Sequence, residues 1–288
     1  MEVDLPQQQF QISPSLRVGR LTNEFIGQLA DVGLANAQQL AEGLSLYIEF
    51  QGTDSTADLM CPYSLGNAIV LSSDLGICPA VHVIVELGGM GAVTGTRLRI
   101  TQLPFHWGHP RNRLTVADIA EASALWPAIN KVQHTGRYHR VGNALLFYTN
   151  GYNSDNPDLA LVAFTTCLEG LFSTMEQEIS FRLALRLAHF LGESNETRRQ
   201  RYDQCREVYK VRSKIVHGAA VNQDSEEAAK YLVEVIVPTA EELARTALRR
   251  IFGLELETFF DSKTKVESLF EELLFSDSLP SALAKVKR

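Results

Sequence analysis

Residues 202–218 read YDQCREVYKVRSKIVHG, a basic run with helical spacing that ends in Arg212, four intervening residues, His217 and Gly218. Upstream, Gly192-Glu193-Ser194-Asn195 offers Ser194 or Asn195 as a helix cap. Downstream, Gly218 is the residue type that most easily takes the left-handed conformation that ends a helix. His217 is therefore expected in a last helical turn. There the partial negative charge of the terminal carbonyls favours a protonated ring, which suits a proton donor. Arg212 and His217 are the pair whose types, spacing and setting point to chemistry.

Around this stretch the charge is uneven. The chain has 288 residues, 45% hydrophobic and 21% charged, with a formal net charge of −7, so any polyanion-binding face must be local. Between residues 182 and 217 the bases Arg182, Arg186, Arg198, Arg199, Arg201, Arg206, Lys210, Arg212 and Lys214 meet only Glu193, Glu196, Asp203 and Glu207, nine against four. Such a run is either a solvated helix face laced with ion pairs or a nucleic-acid face. Arg206, Lys210 and Lys214 are the candidate RNA-backbone contacts.

Cys61, Cys78, Cys167 and Cys205 are scattered, with no C-x-x-C and no metal-ligand spacing to the histidines. Neither a disulfide framework nor a metal site is expected, and no cofactor. A basic-then-apolar leader and a membrane-spanning run are both missing from the pattern, so a soluble, cytoplasmic protein is expected. Asn195-Glu196-Thr197 reads as a helix start rather than a glycosylation site.

The expected fold class is α+β, a small β-rich N-terminal domain (1–112) followed by an all-α bundle with a helical tail (113–288). Residues 1–20 are polar, with two prolines, and read as an extended or poorly ordered arm; one or two short helices are expected between Leu21 and Leu46. Four or more strands are expected from LSLYIEF (44–50), NAIVLSS (67–73), AVHVIVEL (80–87) and TRLRITQL (96–103). His82 within a strand reads as a core residue. His106 and His109 in PFHWGHP have no third ligand nearby, and Gly88-Gly89-Met90-Gly91 reads as a turn, not a phosphate loop.

From Thr115 the period becomes helical. Helices are expected over Thr115–Val132 with a Thr115/Asp118 capping box and a kink or shortening at Pro127, over Tyr138–Tyr148, from Asn156-Pro157 as an almost wholly buried helix, and over Met175–Leu191 with a Ser173/Glu176 box. The 202–217 helix follows, then Ala228–Phe252 capped by Asp224 and bent at Pro238, and a last helix near Thr264–Phe275. An up-and-down bundle results.

On a straight helix Arg212 and His217 lie roughly 140° apart. They address one phosphate only if the last turn opens, if the Arg side chain wraps round, or if two copies of the helix face each other across a two-fold axis. Given convergence, Arg212 would stabilise charge on a pentavalent phosphate and His217 would move a proton. No metal is required when the nucleophile is the RNA 2′-hydroxyl. Glu169 in the apolar CLEGLF needs a partner, and Arg186 or Arg212 can supply it.

LALVAFTTCLEGLF (159–172), ISFRLALRLAHFLG (179–192) and REVYKVRSKIVHG (206–218), in this order and spacing, resemble the ApeA-like branch of the HEPN superfamily, over about residues 114–255. The resemblance implies a metal-independent endoribonuclease acting as a homodimer, with tRNA among its candidate substrates and the motif Arg and His falling on Arg212 and His217. It implies a defence or toxin role in which the N-terminal domain senses a protein or phage-derived trigger. Ser213 stands where many family motifs place Asn, Asp or His. The alternative is a non-catalytic HEPN scaffold that binds nucleotide, RNA or a protein partner.

Overall fold

Why the chain turns helical at Thr115 is visible in its first hydrogen bonds. Asp118 accepts from both the backbone N–H (2.8 Å) and the hydroxyl (2.6 Å) of Thr115, closing the expected capping box. In the computed structural model, which describes residues 2–4, 9–31, 37–40, 46–52, 56–73, 81–87, 93–100, 113–174, 179–218, 225–276 and 278–286, the chain divides into two units. One comprises residues 1–103 and 110–126, the other 104–109 and 127–288. The arrangement is α+β, predominantly helical.

In the first unit, β2 (Gln9–Ser13), β3 (Leu16–Arg20) and β4 (Leu46–Phe50) form a three-stranded antiparallel sheet in the order β2-β3-β4. β1 (Glu2–Asp4) pairs in parallel with β7 (Arg113–Thr115), and β5 (Val81–Leu87) pairs antiparallel with β6 (Val93–Ile100). Helices α1 (Asn23–Asp31), α2 (Ala37–Leu40) and α3 (Thr56–Ser72) lie between strands in sequence.

Two expectations need correction here. Residues 1–20 are not merely an extended arm, because the alternation of Leu16 and Val18, both fully buried, gives β3 an inward face around which β2 and β4 pair. Residues 67–73 are not a strand. Leu65, Ala68, Ile69 and Leu71 are all buried at helical spacing, and the β-branched Ile69 and Val70 form the end of α3. The Gly88–Gly91 turn, His106, Trp107, His109, Glu176 and Asp224 lie outside the described residues, and of His82 only its place in β5 is described.

The second unit takes the later half of α4 (Val116–Thr135), then α5 (His139–Tyr152), α6 (Pro157–Phe172), α7 (Ile179–Leu191) and α8 (Asn195–Val216). α9 (Glu226–Tyr231) runs through a wide π turn, Leu232–Ile236, into α10 (Val237–Gly253). α11 (Glu257–Phe260), α12 (Lys263–Leu273) and α13 (Leu279–Val286) close the chain. α4 runs on through Pro127 to Thr135, so the proline does not shorten it. The cap of α9 is Ser225, whose side chain accepts from the Ala228 N–H. Near Pro238, where a bend is expected, the helix carries a π turn, in which the Val237 N–H reaches back five residues to Leu232.

The core gathers Phe172, Phe190, Phe260 and Phe270, with ring centroids 5.2–5.8 Å apart in tilted and edge contacts. A buried polar group lies beside it. Tyr148 donates to Glu241 at 2.7 Å and Arg245 pairs with the same carboxylate at 3.1 Å, so the charge is matched within the buried interior.

Candidate functional site

α6 begins where expected. The Asn156 side chain accepts from the N–H groups of Asp158 and Leu159, and Pro157 occupies the first turn. Its buried stripe is Ala160, Leu161, Phe164, Cys167, Leu168 and Leu171. The helix is one-sided rather than wholly buried, for Leu159 is 63% exposed and Val162, Ala163, Thr166, Glu169 and Gly170 follow it on a half-exposed stripe. Glu169 thus stands at the margin of the core, where a carboxylate can keep its charge.

α8 starts with a full capping box, in which the Ser194 side chain accepts from the Thr197 N–H and the Thr197 hydroxyl accepts from the Ser194 N–H. Cys205, Val208 and Val211 anchor it. That anchorage turns Tyr209 and Arg212, three residues apart, toward α6. The Tyr209 hydroxyl donates to Glu169 Oε1 at 2.8 Å, and Arg212 Nη2 lies 3.3 Å from the same oxygen. The guanidinium also sits over the Tyr209 ring, 5.3 Å from its centroid. Burial first, and then the Glu169 carboxylate, push the Tyr209 phenol up to about 12. Arg212 is therefore held over a ring and charge-paired, with its Nε buried and without a hydrogen bond.

The helix stays closed to its end. The His217 N–H still bonds the Ser213 carbonyl at 3.1 Å, and Gly218 takes φ +79°, the left-handed stop expected of it. His217 is the C-cap and is exposed, as are Arg206, Lys210 and Lys214, while Ser213 is half-buried. Within one chain, neither an opened last turn nor a wrapped Arg212 side chain brings the pair together.

Of the two partners weighed for Glu169, Arg212 is the one observed. Arg186 is elsewhere, 8% exposed, bonding the Phe172 carbonyl (2.7 Å), Thr174 (2.9 Å) and the Glu267 carboxylate and lying over the Phe270 ring; it is an architectural residue. Several other bases of the run are paired in place, Arg199 with Asp203, Arg201 with Glu242 and Lys210 with Glu207. The residue that the sequence reasoning passed over is Tyr209. Its spacing of three before Arg212 was the available signal.

Cys61, Cys167 and Cys205 are buried and form no disulfide, and burial pushes the Cys205 thiol up to about 12. Among the described residues, no cluster of three His, Cys, Asp or Glu side chains is placed to hold a metal ion, and no helix is long and apolar enough to cross a membrane. No protein-family model, no curated protein and no solved structure matches this chain.

Proposed function

We propose that the helical part of this chain is a metal-independent endoribonuclease of HEPN type. The observation that carries the proposal is the polarity of α8, which offers an exposed His217 at its C-terminal cap and, five residues earlier, an Arg212 preset by Glu169 and Tyr209. In this reading Arg212 binds the scissile phosphate and stabilises its developing charge. The RNA 2′-hydroxyl gives up its proton to solvent and attacks phosphorus, the P–O5′ bond breaks, and His217 protonates the departing 5′-oxygen, leaving a 2′,3′-cyclic phosphate and a 5′-hydroxyl.

The acting unit is a homodimer. A single closed helix keeps Arg212 and His217 apart, whereas a two-fold pairing of α8 with its copy sets the Arg of one chain beside the His of the other. The half-exposed apolar stripe of α6, from Leu159 through Val162 and Ala163 to Gly170, borders Glu169 and supports such a contact. Residues 1–112 would serve as the sensor for a protein or phage-derived trigger, in a cytoplasmic defence or toxin system.

The test is incubation of the purified chain with total tRNA and a structured RNA in EDTA, beside Arg212→Ala and His217→Ala. Fragments ending in cyclic phosphate from the unaltered chain alone are expected, with a loss of 10²–10⁴ in rate for His217→Ala. A strictly monomeric mass by light scattering at micromolar concentration would remove the composite site.

A second reading is a non-catalytic HEPN scaffold. It is favoured by the ion pairs that occupy Arg199, Arg201 and Lys210, and by the serine at position 213. RNA binding without cleavage, unchanged in His217→Ala, would decide for it.

A further inference from the structure

Along α8, upstream of the Arg212–His217 end, cations and aromatic rings alternate on one face. Arg199, Tyr202, Arg206, Tyr209, Ser213 and His217 recur at spacings of three or four residues, which is a single stripe of an α-helix about 27 Å long. The rings and guanidiniums are in register with each other. The carbons that centre the Arg199 and Arg206 guanidiniums each lie 6.0 Å from the Tyr202 ring centroid, and Arg212 lies over Tyr209 at 5.3 Å. Phe181, 46% exposed on α7, meets Tyr202 edge-on at 6.4 Å and supports the ring from beside the helix.

From this alternation we infer that the stripe is a track for single-stranded RNA, with unpaired bases stacking at Tyr202 and its flanking guanidiniums and the strand running on toward His217. The inference rests on the RNA reading of that end and adds the form of RNA it takes. Planar rings and guanidiniums are platforms for any base that has left a duplex, whereas a paired base has no free face to offer. The Arg199 and Arg206 guanidiniums on either side of Tyr202 supply phosphate contacts. Asp203 and Glu207 flank the stripe and pair with Arg199 and Lys210, but both pairs are exposed neighbours on one helix, so a phosphate displaces them at little cost. Tyr209 is tied to Glu169 and offers less of its face, which makes Tyr202 the principal platform.

The test uses the full chain carrying His217→Ala, so that cleavage does not consume the probe. Fluorescence anisotropy is read with a labelled 12-nucleotide unstructured RNA and with the same strand annealed to its complement, in EDTA, over a range of salt. The single strand is expected to bind at least tenfold more tightly than the duplex. Tyr202→Leu, which keeps an apolar contact for Phe181, should weaken single-strand binding about tenfold without changing the salt slope. Arg206→Gln should lower the slope of log affinity against log salt by about 0.7. Equal affinity for both RNA forms, or unaltered single-strand binding in both variants with far-UV circular dichroism unchanged, overturns the track. Binding of this pattern without cleavage by the unaltered chain would sink the nuclease reading alone.

Discussion

Tyr209 donates its hydroxyl hydrogen to Glu169 across 2.8 Å, joining α8 to α6 at the point where Arg212 leaves the helix. The bond exists only while the phenol is neutral, and burial and the carboxylate both hold it so, to about pH 12. An unfolded tyrosine ionises near 10. The folded chain therefore keeps its proton where the unfolded chain loses it. This contribution to stability is complete below pH 10 and is lost as the pH rises through 12. Tyr209→Phe should flatten the fall in stability between pH 10 and 12, read as the pH dependence of urea unfolding; an unchanged slope would refute the pairing.

Glu169 accepts from Tyr209 and pairs with Arg212, so its removal should be felt at both. Glu169→Gln keeps the shape but gives up the charge that holds Arg212, and we expect a loss of ~1–2 kcal/mol in unfolding free energy together with weaker RNA cleavage. In a double-mutant cycle, Glu169→Gln and Arg212→Gln should fall short of additivity by ~0.5 kcal/mol or more. Strict additivity would mean the two side chains do not interact in solution.

The stop at Gly218 is conformational and not steric. A Cβ there would meet nothing within 4 Å, yet φ is +79°. Gly218→Ala should cost ~1 kcal/mol and disturb His217, while Gly218→Asn, which tolerates the left-handed region, should recover much of that. Thermal unfolding and cleavage rate measured on both variants would separate this from a packing effect, which would make Asn the worse of the two.

At the other end of α8, Ser194→Ala removes one half of the capping box and should cost ~1 kcal/mol. Amide exchange should quicken in the first turn, around Thr197 and Arg198, and not near Val211. Uniformly faster exchange along the helix would contradict a local cap.

Arg186 belongs to the core rather than to the candidate site. Arg186→Ala strands the Glu267 carboxylate and the Phe172 carbonyl, and a loss of ~3–5 kcal/mol in denaturant unfolding is expected. A loss below 1 kcal/mol would show that water replaces the guanidinium easily.

The helical half was legible because its signals are local. Asn156-Pro157, Thr115 with Asp118, and Ser194 each fix a helix start within four residues of sequence, and Gly218 fixes an end. The N-terminal unit was harder, since Phe10, Ile12, Leu16 and Val18 alternate over only a short polar stretch and acquire meaning when β2 and β4 pair on either side of β3. Residues 67–73 misled because β-branched side chains are common to buried strands and buried helices, and the spacing that settles the matter extends back to Cys61. At the site, the Glu169–Arg212 pair was foreseen as one of two options. Nothing local could exclude Arg186, whose true partner Glu267 lies 81 residues away.

The wide turn at Leu232–Ile236 sets how the chain tolerates change in length. It carries one residue more per turn than the helices on either side, so everything beyond it is rotated by about 100° relative to an uninterrupted helix. α9 before it has no buried residue, whereas α10 after it presents Ala240, Leu243, Ala244, Ala247, Leu248 and Ile251 inward. Deleting Val235 would restore an even helical phase and swing Glu241 and Arg245 out of line with Tyr148. The turn is thus the angular setting on which the register of the second unit depends.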